Sequence, residues 1–512
     1  MEKNDIKISK SFYNSGSIKI KEPLFIFRNI SKSFFGKELF HDVVMSMSDG
    51  ERIAVVGANG TGKSTILKII IGLKESDQGS VERNRELKIG YLPQETHWDS
   101  LKNAIFQEVC SVKPEMQREI TYLLKDFGFP EKSWERKISS LSGGEKTKLA
   151  LLKLLILKPN LLILDEPTNH LDLQTIEWLE DFLVSWKRGI ICVSHDKYFL
   201  DKVCDKTFEL SNNGFEKYYC SYSQYLEERA VRLENKDLNY NRQEKYLKKQ
   251  QEFIDRFRAK ASTAKRVQSK IKQIKKMELA EKLETNKDIK IRLDSETKVC
   301  SKVMEINDLL VGAEESPLFV VSEKLEVRWG DKIGIVGRNG SGKSTFLKMI
   351  LRSQEDNIRE IKLNDRIKLG YYAQGHEELD PKKNILEEVT SKATVEEEKI
   401  RNVLGGLLFS GKDVFKKIGS LSGGERARVA LAELILSGKP NLFLLDEPTN
   451  HLDLPSKEII NKLFKEFSGT VILISHDRHI LNNVCNIIWE VKGGAIKEYL
   501  GNYDDYRRSI AK

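Results

Sequence analysis

Two short stretches of the chain carry residue types suited to holding phosphate. GANGTGKST at 57 to 65 and GRNGSGKST at 337 to 345 both fit G-x-x-x-x-G-K-[ST]. In that spacing small residues let backbone N–H groups wrap a polyphosphate, the lysine reaches its outer phosphates and the hydroxyl ligates magnesium. The first loop is Gly57, Ala58, Asn59, Gly60, Thr61, Gly62, Lys63, Ser64 and Thr65; the second is Gly337, Arg338, Asn339, Gly340, Ser341, Gly342, Lys343, Ser344 and Thr345. Lys63 and Lys343 are the candidate phosphate cations, Ser64 and Ser344 the candidate magnesium hydroxyls.

Further along each copy, LLILDEP and LFLLDEP end an apolar run on Asp-Glu. A strand of this kind delivers Asp165 or Asp446 to its polar end, where a carboxylate can orient magnesium and its waters. Glu166 or Glu447 then stands where a general base would polarise an attacking water. LSGGE occurs at 141 to 145 and at 421 to 425. Ser142 with Glu145, and Ser422 with Glu425, match the S-x-x-E spacing of a capping box at a helix start. The same helix starts, fronted by Ser142, Gly143 and Gly144 or by Ser422, Gly423 and Gly424, offer free N–H groups to an anion, so capping and phosphate binding are compatible. His195 and His476 each follow an apolar strand inside Ser-His-Asp. They are candidates for a γ-phosphate contact, with a structural hydrogen bond as the alternative.

These motifs recur in order because the chain contains one architecture twice. The glycine loops, Tyr91 with Tyr371, Gln94 with Gln374, and the LSGGE runs repeat at an offset of 280; LDEPTNHLD and SHD repeat at 281. In each copy an apolar strand (ERIAVVG, DKIGIVG) runs into the glycine loop and a helix-patterned segment follows. Short Leu/Ile/Val runs between helix-patterned stretches predict a doubly wound α/β sheet. The expected division is a tail at 1–22, a first domain at 23–221, a linker at 222–298 and a second domain at 299–512.

The linker reads differently from both copies. Residues 215 to 311 contain no Gly and no Pro, although these types number 33 and 11 in the chain, which favours long helices. Leu226, Leu233, Tyr240, Leu247 and Ile254 fall seven apart, with Lys236, Gln243 and Gln250 interrupting the second core position. The expectation is an antiparallel helical hairpin turning within 259 to 265, each arm roughly 45 to 50 Å long at 1.5 Å per residue.

Composition bounds the rest. With 512 residues, 40% hydrophobic and 31% charged, the chain has room for two to four folded units with real cores. The greasiest run, 149 to 165, is broken by Lys153, Lys158 and Pro159 well before the roughly 18 apolar residues a membrane span needs. The start lacks the apolar stretch of a signal peptide, and six scattered cysteines form no CxxC pair. A cytoplasmic, reducing environment is expected. The net charge is +9, yet residues 242 to 276 hold 13 Lys/Arg against 3 Asp/Glu, so this one segment carries +10 and the remainder −1. Basicity this local, with Tyr246, Phe253 and Phe257 among the lysines, points to a polyanion partner. A solvated spacer is the alternative.

Taken together, GxxGxGKST, Gln94/Gln374, LSGGE, LDEPTNHLD and SHD, in that order twice, resemble the ATP-binding cassette superfamily over about 400 residues. Two cassettes on one chain, EPTNHLD, no membrane span and a charged helical linker resemble its ABC-F branch, whose members act on ribosomes. The resemblance implies an ATPase that sandwiches two ATP molecules, with Mg2+, between cassettes paired within one monomer. One site would combine the first loop, Gln94, Asp165, Glu166 and His195 with Ser422, Gly423 and Gly424. The other would combine the second loop, Gln374, Asp446, Glu447 and His476 with Ser142, Gly143 and Gly144. An aromatic upstream of the loop stacks adenine in such cassettes; Phe34 or Phe35 fits that place, whereas the matching stretch offers Ala313 and Glu314. Gln94 to Ser142 and Gln374 to Ser422 both span 48 residues, so the inserted arm of some family members is not expected. RFRAKASTAKRVQSKIKQIKK at 256 to 276 resembles the branch's hairpin tip, which reaches from the ribosomal E site toward P-site tRNA. That makes Arg256, Arg258, Lys260, Lys265, Arg266 and Lys270 the candidate contacts to rRNA and tRNA. Antibiotic resistance by ribosome protection uses the same architecture and stays open beside a role in translation; the soluble ATPase subunit of a membrane exporter is a third reading.

Overall fold

The five-residue runs Leu161–Asp165 and Leu442–Asp446 are buried along their whole length, which is why they read as unbroken apolar runs rather than as alternating ones. In this computed structural model the chain is described over 22–257, 268–269, 271–273 and 299–512, apart from 35–36, 95–97, 99, 170, 212–213, 314–315, 354–355, 357, 374–378, 394, 410, 439, 451 and 512. The described chain divides into two compact units. One holds both copies, Met1–Tyr219 with Ile289–Lys512, and the other is Cys220–Asp288.

Each copy builds its main sheet around the Asp-bearing strand. In the first the spatial order is Ile89–Leu92, Leu161–Asp165, Gly189–Val193, Arg52–Val56, Lys206–Ser211 and Gly214–Tyr218, parallel except for the last pair. The second repeats it with Leu369–Tyr372, Leu442–Asp446, Thr470–Ile474, Lys332–Gly337, Ile487–Lys492 and Ala495–Leu500. There the hairpin Leu309–Ala313/Ser316–Val321 also joins the sheet, through a parallel bridge between Val320 and Ala495. A separate three-stranded antiparallel sheet lies in each copy. The α/β architecture that the apolar runs predict is therefore present in both.

Register then sets the positions of the polar residues. Asp165 pairs with Val193 and Asp446 with Ile474 as the last rungs of their ladders. Glu166 and the Ser194–His195 step consequently leave the sheet side by side at its carboxyl edge, the edge where open α/β sheets bind ligands. The helices behind the glycine loops, Lys63–Ile71 and Lys343–Arg352, hold their loops to the sheet through fully buried apolar residues, Ile66, Leu67 and Ile70 in one, Phe346, Leu347 and Ile350 in the other. Each such side chain contributes about 1.5–3 kcal/mol on burial. Between Gln94 and Ser142 the described α-helices are Ile105–Cys110 and Gln117–Asp126, matched by Ile385–Lys392 and Glu397–Gly406 in the second copy, with only short 3-10 turns besides. The described residues of the first copy thus contain no additional helical arm there.

Within the linker unit one helix, Tyr222–Phe257, runs for 36 residues, about 54 Å at 1.5 Å per residue and so slightly longer than expected for one arm. Leu233, Tyr240 and Leu247 are half-buried and Ile254 is buried, as the seven-residue spacing predicts, while Leu226 is exposed. The expected turn at 259–265 and all but five residues of the return arm lie outside the described residues, as do the N-terminal residues 1–21.

Candidate functional site

The glycine loops owe their shape to backbone that only glycine tolerates. Gly57 and Gly337 have φ of 155° and 156°, and a Cβ there would stand 2.2 Å from the Leu210 carbonyl oxygen or 2.6 Å from that of Val491. Gly60 and Gly340 also have positive φ, and nothing lies within 4 Å of the place a Cβ would take. The loops are therefore tight on the protein side and open on the other, as an anion cradle requires. Lys63 Nζ donates to the carbonyls of Gly57 (2.8 Å) and Ala58 (3.0 Å), and Lys343 Nζ to those of Gly337 and Arg338 (both 2.8 Å). Each ammonium is thus held at the mouth of its own loop. Ser64 Oγ donates to Asp165 Oδ1 at 3.2 Å, and Ser344 likewise hydrogen-bonds Asp446. A hydroxyl and a carboxylate side by side are the hard oxygen donors that Mg2+ takes together with phosphate oxygens and water, so the residues present fit that ion. Asp446 Oδ1 is buried and makes no hydrogen bond among the described residues.

Beside these donors stand the candidate bases. Glu166 and Glu447 adopt left-handed backbone, φ 51° and 52°, uncommon for a non-glycine residue and costing about 1–3 kcal/mol when the surroundings impose it. The Glu166 N–H is fixed by the Val193 carbonyl (2.8 Å) and that of Glu447 by Ile474 (3.0 Å). Burial pushes the Glu166 carboxyl up to about 7 against the pull of Lys63 and Lys457, and that of Glu447 up to about 8 against Lys343. A carboxylate this basic suits proton abstraction from water near neutral pH. Glu166 Oε1 and Glu447 Oε1 are buried without a well-aligned hydrogen bond among the described residues, each facing the Nε2 of His195 (3.3 Å) or His476 (3.4 Å), so each keeps acceptor capacity for a water or ligand.

His195 and His476 frame these carboxylates in the same way. The His195 N–H donates to Glu166 Oε2 (3.2 Å) and its Nε2 stands 3.2 Å from Asn59 Oδ1; for His476 the distances are 3.4 Å to Glu447 and 3.1 Å to Asn339. Burial lowers both imidazoles to about 3, so each is neutral, and the acceptors facing Nε2 place its proton there. Such a ring can donate to a phosphate oxygen.

The first cavity, about 430 Å3, is lined by Asn59, Lys63, Ser64, Gln94, Asp165, Glu166 and His195 from the first copy and by Ser422, Gly423, Gly424 and Lys457 from the second. The second, about 360 Å3, is lined by Asn339, Lys343, Ser344, Asp446, Glu447 and His476; Ser142, Gly143 and Gly144 are not among its lining residues. The copies nevertheless touch reciprocally at both loops: Asp453 Oδ2 accepts from the Asn59 N–H and Asp172 Oδ2 from the Asn339 N–H, each at 3.3 Å. Ser142 and Ser422 close full capping boxes with Glu145 and Glu425, so capping is real at both helix starts while Ser422 also faces a cavity. Phe34 ends its strand exposed, with Lys74 Nζ 4.4 Å from the ring centroid, and Ala313 holds the equivalent place. Gln374 lies outside the described residues, as do Arg258, Lys260, Lys265, Arg266 and Lys270; Arg256 is exposed on its helix.

Sequence reasoning passed over Asp172 and Asp453, although both close a repeated LDEPTNHLD and that repetition was the available signal. Tyr91, which the sequence marks only by its repetition as Tyr371, hydrogen-bonds Asp165 through its hydroxyl.

Comparison with known proteins agrees with this geometry. A family model described as ABC transporter matches residues 40–169 and 322–450, and a second with the same description matches 208–293. The "Putative ATP-binding protein YdiF" of Bacillus subtilis (strain 168) is 37% identical, covering 93% of this chain and 81% of that protein. "ABC transporter F family member 5" of Arabidopsis thaliana is 32% identical, covering 93% and 76%. Among solved structures, one titled "Model of ribosome-bound archaeal Pelota and ABCE1" aligns with a TM-score of 0.60 at 20% identity, covering 95% of this chain and 80% of that one, a likeness of fold. The twofold match to the cassette model and the identity shared with F-family relatives along most of both chains place this protein in the ABC-F family, as a tandem ATP-binding cassette ATPase that binds and hydrolyses ATP.

Proposed function

We propose that this ATPase works on the ribosome, entering the E site with its helical linker directed at P-site tRNA or the peptidyl-transferase region, and that ATP hydrolysis times its release. The observation that supports an ATP-gated switch is the composition of the first cavity, where Lys63 and Glu166 of one cassette face Ser422, Gly423 and Gly424 of the other. A nucleotide held by both sides favours the paired arrangement, and loss of its γ-phosphate removes part of that bias. In this reading Lys63 and Lys343 bind the outer phosphates, His195 and His476 orient the γ-phosphate from Nε2, and Glu166 and Glu447 take the proton of the attacking water. Ser64 with Asp165, and Ser344 with Asp446, would hold Mg2+, which when bound neutralises phosphate charge. The signature Ser142, Gly143 and Gly144 would serve the second site as Ser422, Gly423 and Gly424 serve the first.

The ribosomal assignment draws on the basic segment 242–276, of which Arg242, Lys245, Lys248, Lys249 and Arg256 are exposed on the long helix. Arg258, Lys260, Lys265, Arg266 and Lys270 extend the proposed RNA-contacting set. The ribosome named in the solved neighbour's title supports the same reading, as does the absence, among the described residues, of any helix long and apolar enough to cross a membrane. Co-sedimentation with ribosomes tests it: binding is expected with a non-hydrolysable ATP analogue and loss of binding with ADP, and equal recovery with both would overturn it.

The adenine contacts predict unequal sites. An aromatic stack contributes about 0.5–1.5 kcal/mol, up to roughly tenfold in affinity, and Phe34 has Ala313 as its counterpart. ATP should bind more weakly to the Lys63→Ala protein, which reports the second site, than to the Lys343→Ala protein, which reports the first. Equilibrium titration with a fluorescent ATP analogue checks this; equal affinities would exclude a stacking role for Phe34.

A further inference from the structure

The two ATP sites differ at a residue that the internal repeat does not preserve. Lys457 lies on the helix Leu454–Glu466 of the second cassette, one turn beyond Asp453, and lines the first cavity. Its Nζ donates to the His195 carbonyl across the cassette interface at 2.9 Å and pairs with Asp477 at 2.9 Å, with only 13% of the side chain exposed. At the offset of 281 its counterpart is Ile176, which is 2% exposed. We infer that Lys457 is a positioning residue for hydrolysis at the first site: by holding the His195 carbonyl from the opposite cassette, it sets the histidine, and through it Glu166, only when the cassettes meet.

Two observations carry this beyond a structural ion pair. Burying an ammonium is costly unless good geometry offsets it, and Ile176 shows that the equivalent place on the first cassette's helix Leu173–Ser185 is apolar, the counterpart of Asp477, Asp196, being paired there by Arg478 instead. The fold therefore does not require the cation to come from this helix, and only Lys457 brings it to the histidine carbonyl. Second, the residue that Lys457 grips is the one that orients the base. His195 donates its N–H to Glu166 Oε2 and presents Nε2 toward Asn59 in the glycine loop. A shift of the His195 backbone would move the base and a loop contact together. At the second site Ile176 cannot donate, so His476 and Glu447 are set without this contact and the two sites answer differently to closure.

The inference rests on the reading of Glu166 and Glu447 as bases, and the test separates the two. Single-turnover cleavage of bound ATP is measured in Glu447→Gln, where only the first site cleaves, and in Glu166→Gln, where only the second does. Adding Lys457→Met should slow the first-site rate constant on the order of tenfold, as expected for a displaced reacting group, while half-saturation by ATP changes by less than about twofold. The second-site rate constant should be unchanged, and Lys457→Arg should restore most of the first-site rate. Equal slowing at both sites, or slowing matched by a general loss of thermal stability and not rescued by Arg, would reduce Lys457 to a structural role; no slowing at either site would remove it altogether. If the parent Gln proteins each cleave both bound ATP molecules, the assignment of the bases fails, and this proposal with it.

Discussion

Replacing both Glu166 and Glu447 by Gln is expected to leave ATP binding intact and to slow hydrolysis by at least about a hundredfold, the contribution typical of a positioned general base. The amide keeps the side chain's shape and an acceptor oxygen for the His195 or His476 N–H, but it cannot accept a proton from water. The cradle is untouched, because Lys63, Ser64 and Asp165 are positioned by the loop and the neighbouring strand rather than by the glutamate. Removing a buried carboxylate that burial pushes to about 7 or 8 also removes a charge costly to bury, so the variant should fold at least as well as the parent. Phosphate release and nucleotide retention measured on the same protein check both halves. If the proposed switch holds, the variant should accumulate in the paired state and stay on ribosomes. Near-normal turnover would exclude both glutamates as bases.

Most of this site was readable before any coordinates because its chemistry is written in consecutive residues and written twice. A glycine loop, a strand ending in Asp-Glu and a Ser-His-Asp step each carry their own geometry, and parallel register does the rest by bringing Glu166 and His195 off adjacent strands. The capping boxes at Ser142 and Ser422 were equally legible, since S-x-x-E is a local device. What local spacing left hidden is how the two cassettes dock; the signature residues of the opposite cassette were assigned to each loop only through the family resemblance. That Asp453 would meet the Asn59 N–H, or that Arg478 would pair with Glu180 and Asp196 across the interface, follows from how two surfaces dock and has no local spacing to announce it. Lys457 was hidden for a further reason. Repetition was the filter that raised motifs above chance, and a residue that matters in only one copy fails that filter by construction.

The remaining large effect concerns the basic linker segment and separates a nucleic-acid contact from a spacer. Arg258, Lys260, Lys265 and Arg266 replaced together by Gln preserve helix propensity and length while removing four positive charges, so basal ATP hydrolysis at the cassettes should survive. If all four meet RNA phosphates, the slope of log affinity against log salt should fall by roughly 3, at about 0.7 to 0.9 per contact. With the salt-independent part of binding unchanged, a slope change of that size weakens the complex by roughly a thousandfold at about 0.1 M salt, one decade below the 1 M reference. Ribosome-stimulated hydrolysis should decline in step, because fewer molecules are bound. The measurement is a ribosome-binding titration at several salt concentrations, beside an ATPase assay with and without ribosomes. An unchanged slope would exclude phosphate contacts by these residues and leave the basic segment a solvated spacer. Lost basal hydrolysis would instead show that these four residues influence how the cassettes pair.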